Sequence, residues 1–162
     1  MVMENDFLEK TLEDIIFENR HNIHERGFPI IIGEMRRQMT NDYGRRVDLI
    51  SVGNVNNIKN ISIYELKKGK IDYNAYFQIV RYFFDICMEN KKYNIGDFNI
   101  QLYLIGNEVD DEVLIAASLS NFVHIYTYKY DYDGIKFDKM SCTWDEMKEK
   151  VTKNPPRKEG FN

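Results

Sequence analysis

Apolar and polar positions repeat with two different periods along this chain, and each period predicts a different element. From Phe7 to about His24 a helix is predicted with Asp6 as its cap: Leu8, Leu12, Ile15, Ile16, Asn19 and Ile23 share one face, while Glu9, Glu13 and Arg20 run along its edge. Pro29 ends this helix and Ile30 to Ile32 begin an extended segment. The stretches around Val47-Asp48-Leu49-Ile50 and Ile61 to Leu66 alternate as strands, with a hairpin through Gly53, Asn54, Asn56 and Asn57 between them. A second helix is expected from Asp72 to about Glu89, then a strand over Phe98 to Ile105, a helix over Val109 to Ser120, and a strand over Phe122 to Tyr130. A turn at Tyr132-Asp133-Gly134 leads to a strand over Ile135 to Met140, and a short helix over Trp144 to Val151 closes the series.

The chemistry concentrates between Gly44 and Tyr82. The sequence expectation puts Asp48 late in its strand and Glu65 late in the next. Residues two apart on a strand project from one face, so Glu65 and Lys67 share a side. Paired strands lie roughly 5 Å apart, close enough for Asp48 to reach the same spot. Two carboxylates and an ammonium in one small site suit phosphodiester hydrolysis, because hard oxygens hold Mg²⁺ and a cation steadies charge on the phosphate.

The run Gly44-Arg45-Arg46-Val47-Asp48-Leu49, the triplet Glu65-Leu66-Lys67, and Gln78 with Tyr82 on the following helix resemble the PD-(D/E)XK nuclease superfamily, in particular its RecB/NucS-like branch. Val47 stands where the superfamily name expects Pro. The resemblance implies a restriction-endonuclease-like α/β core, a mixed central β-sheet flanked by α-helices. It implies that Asp48, Glu65 and the Leu66 carbonyl ligate Mg²⁺ or Mn²⁺, that Lys67 positions or activates the attacking water, and that Gln78 leans onto the site. A Glu on the first helix completes the metal site in that family; Leu12-Glu13-Asp14-Ile15-Ile16 matches its pattern best, with Glu9 as the alternative.

Composition sets the frame. The 162 residues, 43% hydrophobic with ten Phe and eleven Tyr, suffice for one packed domain over residues 1–152, followed by a polar, Pro-containing tail over 153–162 expected to be flexible. No apolar run approaches the roughly 20 residues needed to cross a bilayer, and the first residues lack a signal-peptide core, so a cytoplasmic protein is expected. Two separated cysteines and three histidines argue against a zinc site. No P-loop, Rossmann turn or Ser-His-Asp arrangement is present, which leaves no nucleotide cofactor to expect.

The net charge of −4 excludes a broad basic field, so a grip on DNA must come from local patches. Arg36, Arg37, Arg45 and Arg46 flank the turn at Asn41 to Gly44, and Arg36, Arg45, Arg46 and Tyr82 are the candidate DNA contacts. The second helix carries one apolar arc of Ala75, Ile79, Tyr82, Phe83 and Ile86 and a second ridge of Phe77, Phe84 and Met88. That ridge points to a homodimer with Phe77 and Phe84 at the contact. Tyr126, Tyr128 and Tyr130 share a strand face, expected to be packing rather than base stacking. A catalytically silent module that keeps the fold to bind nucleic acid or a protein is the rival reading of the whole.

Overall fold

The computed structural model describes residues 11–89 and 97–153. The expected cap Asp6, the helix start at Phe7 and Leu8, the alternative ligand Glu9 and the tail over 154–162 lie outside them. In chain order the elements are α1 (11–18), a 3₁₀ turn (Ile23–Arg26), β1 (Glu34–Thr40), β2 (Arg46–Val55), β3 (Ile58–Leu66), β4 (Lys70–Ile71) and α2 (Tyr73–Glu89). β5 (Phe98–Gly106), β6 (Glu108–Val109), α3 (Asp111–Ser118), β7 (Val123–Asp131), β8 (Gly134–Met140) and α4 (Trp144–Lys153) follow.

Six strands form one mixed sheet in the order β1-β2-β3-β5-β7-β8. The pairs β1–β2, β2–β3 and β7–β8 are antiparallel, whereas β3–β5 and β5–β7 are parallel. Parallel neighbours need crossover helices, and α2 and α3 supply them. Both cover one face of the sheet, where Ala75, Ile79, Tyr82, Val113 and Leu114 bury against Ile61, Ile63, Leu102 and Leu104. Leu12 and Ile16 of α1 cover the other face against Met35, Leu49, Tyr64 and Leu66. The mixed sheet flanked by helices is the α/β architecture expected for a restriction-endonuclease-like core.

Three local features depart from the sequence expectation. The first helix does not continue to His24. It ends after residue 18, where Asn19 Nδ2 donates to the Ile15 carbonyl (2.8 Å) and Arg20 to the Phe17 carbonyl (2.8 Å), and the chain tightens into the 3₁₀ turn closed by Gly27 at φ 90°. Side chains that satisfy the last carbonyls remove the need for another helical turn.

Asp48 lies near the start of β2, not late in it, because β2 runs on to Val55. Val55 pairs with Ile58 across Asn56 and Asn57, both left-handed (φ 51° and 65°), which is the two-residue hairpin turn that asparagine tolerates. Gly53 and Asn54 therefore sit inside the ladder. A Cβ on Gly53 would lie 2.7 Å from the Gly33 Cα, so the strand needs glycine for a close chain approach rather than for a turn. The third departure is a small parallel pair, β4 with β6, which the periodicity did not show because each partner is two residues long.

Of the three tyrosines expected to pack, Tyr126 is buried in the α1-side core and the Tyr128 hydroxyl donates to the Lys68 carbonyl at 2.6 Å, whereas Tyr130 is 57% exposed and meets the Tyr128 ring edge-on. Among the described residues no helix is long and apolar enough to cross a membrane.

Leu104, fully buried in a central strand, and Phe84, 62% exposed on α2, bracket the energetic range. Leu104→Ala is expected to cost about 2–5 kcal/mol in urea unfolding, and Phe84→Ala to stay within about 0.5 kcal/mol.

Candidate active site

The β2–β3 ladder ends at the Leu49–Tyr64 pair, and Asp48 and Glu65 are the next residues of the two strands. Asp48 Oδ2 accepts the backbone N–H of Leu66 at 2.8 Å, so the aspartate is fastened to the end of β3. Glu65 is buried, and Lys67 Nζ stands 3.4 Å from its Oε1. The Lys67 backbone is held from the other side, its N–H donating to the Ile105 carbonyl at 2.7 Å. Gly106 follows at the end of β5, where a Cβ would meet the Gly69 carbonyl at 2.7 Å; only glycine lets the segment after Lys67 lie so close. Asp48, Glu65, Leu66 and Lys67 are thus brought together at one end of the β2–β3 pair.

Helix α2 closes this end. Gln78 Nε2 donates to the Tyr82 hydroxyl at 2.9 Å, and that hydroxyl donates in turn to the Arg46 carbonyl. A spacing of four residues stacks the two side chains on one helix face, and the chain of bonds ties α2 to β2 two residues ahead of Asp48. Burial raises the Tyr82 pKa most; the charges of Glu65 and Asp48 push the same way, against the Gln78 hydrogen bond. The carboxylate pair is therefore close enough to be felt at Tyr82, and the phenol stays neutral and able to donate.

Glu13 is also buried, but its two oxygens are occupied: Oε1 accepts Arg37 Nε at 2.9 Å and Oε2 accepts Gln38 Nε2 at 3.0 Å. Arg37 binds Asp14 as well, and these bonds, Asp14 first, raise its pKa further. Among the described residues no three His, Cys, Asp or Glu side chains form a group able to hold a metal ion. Gln38 is left-handed at φ 51° within β1, at the one register position, opposite Asp48, that the β1–β2 ladder skips. Its oxygen accepts from Arg46. The kink turns an edge-strand side chain inward to join Glu13 to Arg46.

The arginines divide. Arg36 makes only a solvent-exposed pair with Glu34 at 3.5 Å. Arg45 reaches Asp85, a buried carboxylate on α2, at 2.5 Å, and Asn41 donates to the same group at 2.7 Å. Arg45 thus pins the β1–β2 turn to the helix. Asp85 and Gln38 were missed from sequence, and Arg37, read there only as part of the arginine cluster, holds Glu13 and Asp14. The one available signal was Asp85 itself, a charge among Phe83, Phe84, Ile86 and Cys87.

Two carboxylates, Asp48 and Glu65, and Lys67 thus stand at the open end of the β2–β3 hairpin in a mixed sheet flanked by helices. No protein-family model matches the chain, and no curated protein matches it. Among solved structures, a repair endonuclease from Pyrococcus abyssi is similar at 24% identity and a TM-score of 0.44, over 61% of this chain and 37% of that one. This chain thus matches little more than a third of that endonuclease.

The two ion pairs differ in burial, and their worth should differ accordingly. Arg45→Ala strands the Asp85 carboxylate and is expected to cost about 3 kcal/mol, whereas Arg36→Ala should cost less than about 0.5 kcal/mol. Urea unfolding of the two variants at one ionic strength measures both.

Proposed function

We propose that this chain is a metal-dependent nuclease that hydrolyses DNA phosphodiester bonds. The observation that carries the reading is the convergence of Asp48, Glu65 and Lys67, fastened by the Asp48–Leu66 bond and the Lys67–Glu65 pair. The donor set fits Mg²⁺ or Mn²⁺: all ligands are hard oxygens, and magnesium is commonly held by one or two carboxylates with water and substrate phosphate completing its shell. Asp48, Glu65 and the Leu66 carbonyl would hold it. The ion supplies charge stabilisation at the phosphoryl oxygens and a more acidic attacking water.

The chain's own residues do the rest. Lys67 carries its ammonium beside Glu65, placed to orient the attacking water and offset charge building on the phosphate. Gln78, held by Tyr82, faces the site from the helix and orients water or phosphate. Glu13 is assigned the supporting role of a further carboxylate that reaches the ion's water shell, releasing Arg37 or Gln38 when it does. Arg46 and Arg36 offer guanidinium groups to the DNA backbone. Self-association through Phe77 and Phe84, both more than half exposed, is the competing use of the outer α2 ridge, and sedimentation against concentration reads it.

Millimolar Mg²⁺ or Mn²⁺ is expected to raise the melting temperature by about 2–4 °C per kcal/mol of ion binding. The gain should vanish in Asp48→Ala and Glu65→Ala. On a panel of linear, circular, single-stranded and mismatched DNA the parent should cut, and Lys67→Ala should lower the rate by about a hundredfold or more. DNA binding without cutting by the metal-loaded parent would instead identify the silent module. Unchanged cutting by Lys67→Ala would remove the role given to that lysine.

A further inference from the structure

Beside the Gln78–Tyr82 turn, the start of β2 and the first half of α2 enclose an open groove of about 600 Å³. Its lining holds three arginines (Arg45, Arg46 and Arg81), the side-chain amides of Asn74 and Gln78, and the rings of Phe77 and Tyr82. No carboxylate lines it, although acidic residues outnumber basic ones in the chain, 26 to 22. The charge on Arg45 is answered by Asp85. Arg46 bonds only to the neutral amide of Gln38 and to no acid among the described residues. Arg81 has no hydrogen-bond or ion-pair partner among the described residues, and nothing there offsets its charge. Two guanidinium groups are left facing a groove with no internal anion.

Phe77 is the second half of the observation. Its ring is 61% exposed, yet held in place by Tyr73 stacked at 6.2 Å and Tyr76 edge-on at 6.4 Å. A solvent-facing ring flanked by two tyrosines, one helical turn from an uncompensated arginine, offers a flat apolar face next to a cation. A simple phosphate or sulfate would use the arginines and ignore the ring; a peptide phosphate would do the same. A nucleotide uses both, placing phosphate oxygens on a guanidinium fork and the base plane on the aromatic ring. In a duplex the base faces are hidden by stacking, so the ring can be reached only by a base that is unpaired.

We infer that this groove is a nucleotide subsite: it takes one unpaired nucleotide of a nucleic-acid strand, with phosphate on Arg46 and Arg81 and the base on Phe77. Tyr82 sets its position relative to the carboxylates, since the hydroxyl that floors the groove bonds the Arg46 carbonyl, two residues from Asp48. The inference rests on the nuclease reading for its purpose, but the groove's chemistry stands apart from any metal.

The test uses the full chain in EDTA and fluorescence anisotropy with a labelled mixed-sequence single strand, the same strand as duplex, and an abasic strand of equal length. The parent should prefer the single strand. Arg81→Ala should weaken binding and reduce the salt slope by about 0.7, with Arg81→Lys restoring part of the affinity. Phe77→Ala should weaken the base-bearing strand by about 5- to 100-fold and leave the abasic strand unchanged, while Phe77→Tyr binds like the parent. Melting curves of each variant confirm that it is folded.

Binding indifferent to Arg81 and Phe77, equal loss on the abasic strand, preference for duplex, or no binding by the parent would each overturn the subsite. So would a Phe77→Ala variant that dissociates a dimer without altering strand affinity. Failure of the nuclease reading looks different: a strand bound in an Arg81- and Phe77-dependent way but never cut with Mg²⁺ or Mn²⁺ supports the subsite and removes only the catalysis. Cutting that ignores both residues overturns the subsite and leaves the nuclease reading standing.

Discussion

The hydrogen bond from the Leu66 amide to Asp48 is the constraint on which the arrangement turns. At the end of β3 the parallel partner β5 takes the Lys67 N–H, but the antiparallel partner β2 is already at its beginning. A side-chain oxygen therefore supplies what the ladder supplies elsewhere, and in doing so fixes a carboxylate beside the buried Glu65. Two like charges so close repel unless a cation or oriented dipole lies between them. The Leu66 N–H dipole at Asp48 and the Lys67 ammonium at Glu65 give each carboxylate a donor of its own.

The rest of the molecule holds this strand end still. Glu13, Glu65 and Asp85 are each buried, and each meets a cation drawn from a different element: Arg37, Lys67 and Arg45. Placed this way, the three pairs act as fasteners between α1 and β1, within the β3 end, and between the β1–β2 turn and α2. A buried carboxylate whose partner is removed costs several kcal/mol, so the pairs specify the arrangement more strongly than they stabilise it. Gln38 adds a fourth link by giving up regular strand geometry, a local strain offset by bonds to Glu13 and Arg46.

What could be read from the residues alone follows from range. The hairpin, the Glu65–Lys67 face and the Gln78–Tyr82 turn are set by spacings of two and four, which geometry alone decides. The mixed sheet flanked by helices was legible because a strand, helix, strand succession allows few alternatives. Asp85 could not be placed in this way: its burial depends on Arg45 and Asn41, some forty positions earlier, and an acid in an apolar helix window reads equally well as a solvated interruption. The end of α1 was set by Asn19 and Arg20 turning back on their own helix, an outcome that competes closely with ordinary exposure. Gln38 carries no warning in the sequence, since a left-handed glutamine is chosen by its neighbours rather than by its own preference.

Among the described residues, charge is unevenly distributed between two edges of the molecule. Glu108, Asp110, Asp111 and Glu112 crowd the pocket between β6 and α3, and only Lys70 and Lys150 answer them, at Asp110 and Asp111. A nucleic-acid strand drifting to that edge meets surplus negative charge. At the β2–α2 edge it meets Arg46 and Arg81 with no acid lining the groove. Surface potentials built from such clusters fall off over about 10 Å in physiological salt, so each edge acts locally and their contrast survives the overall negative balance. The edge without an acid is the one whose Arg46 stands two residues ahead of Asp48 in β2.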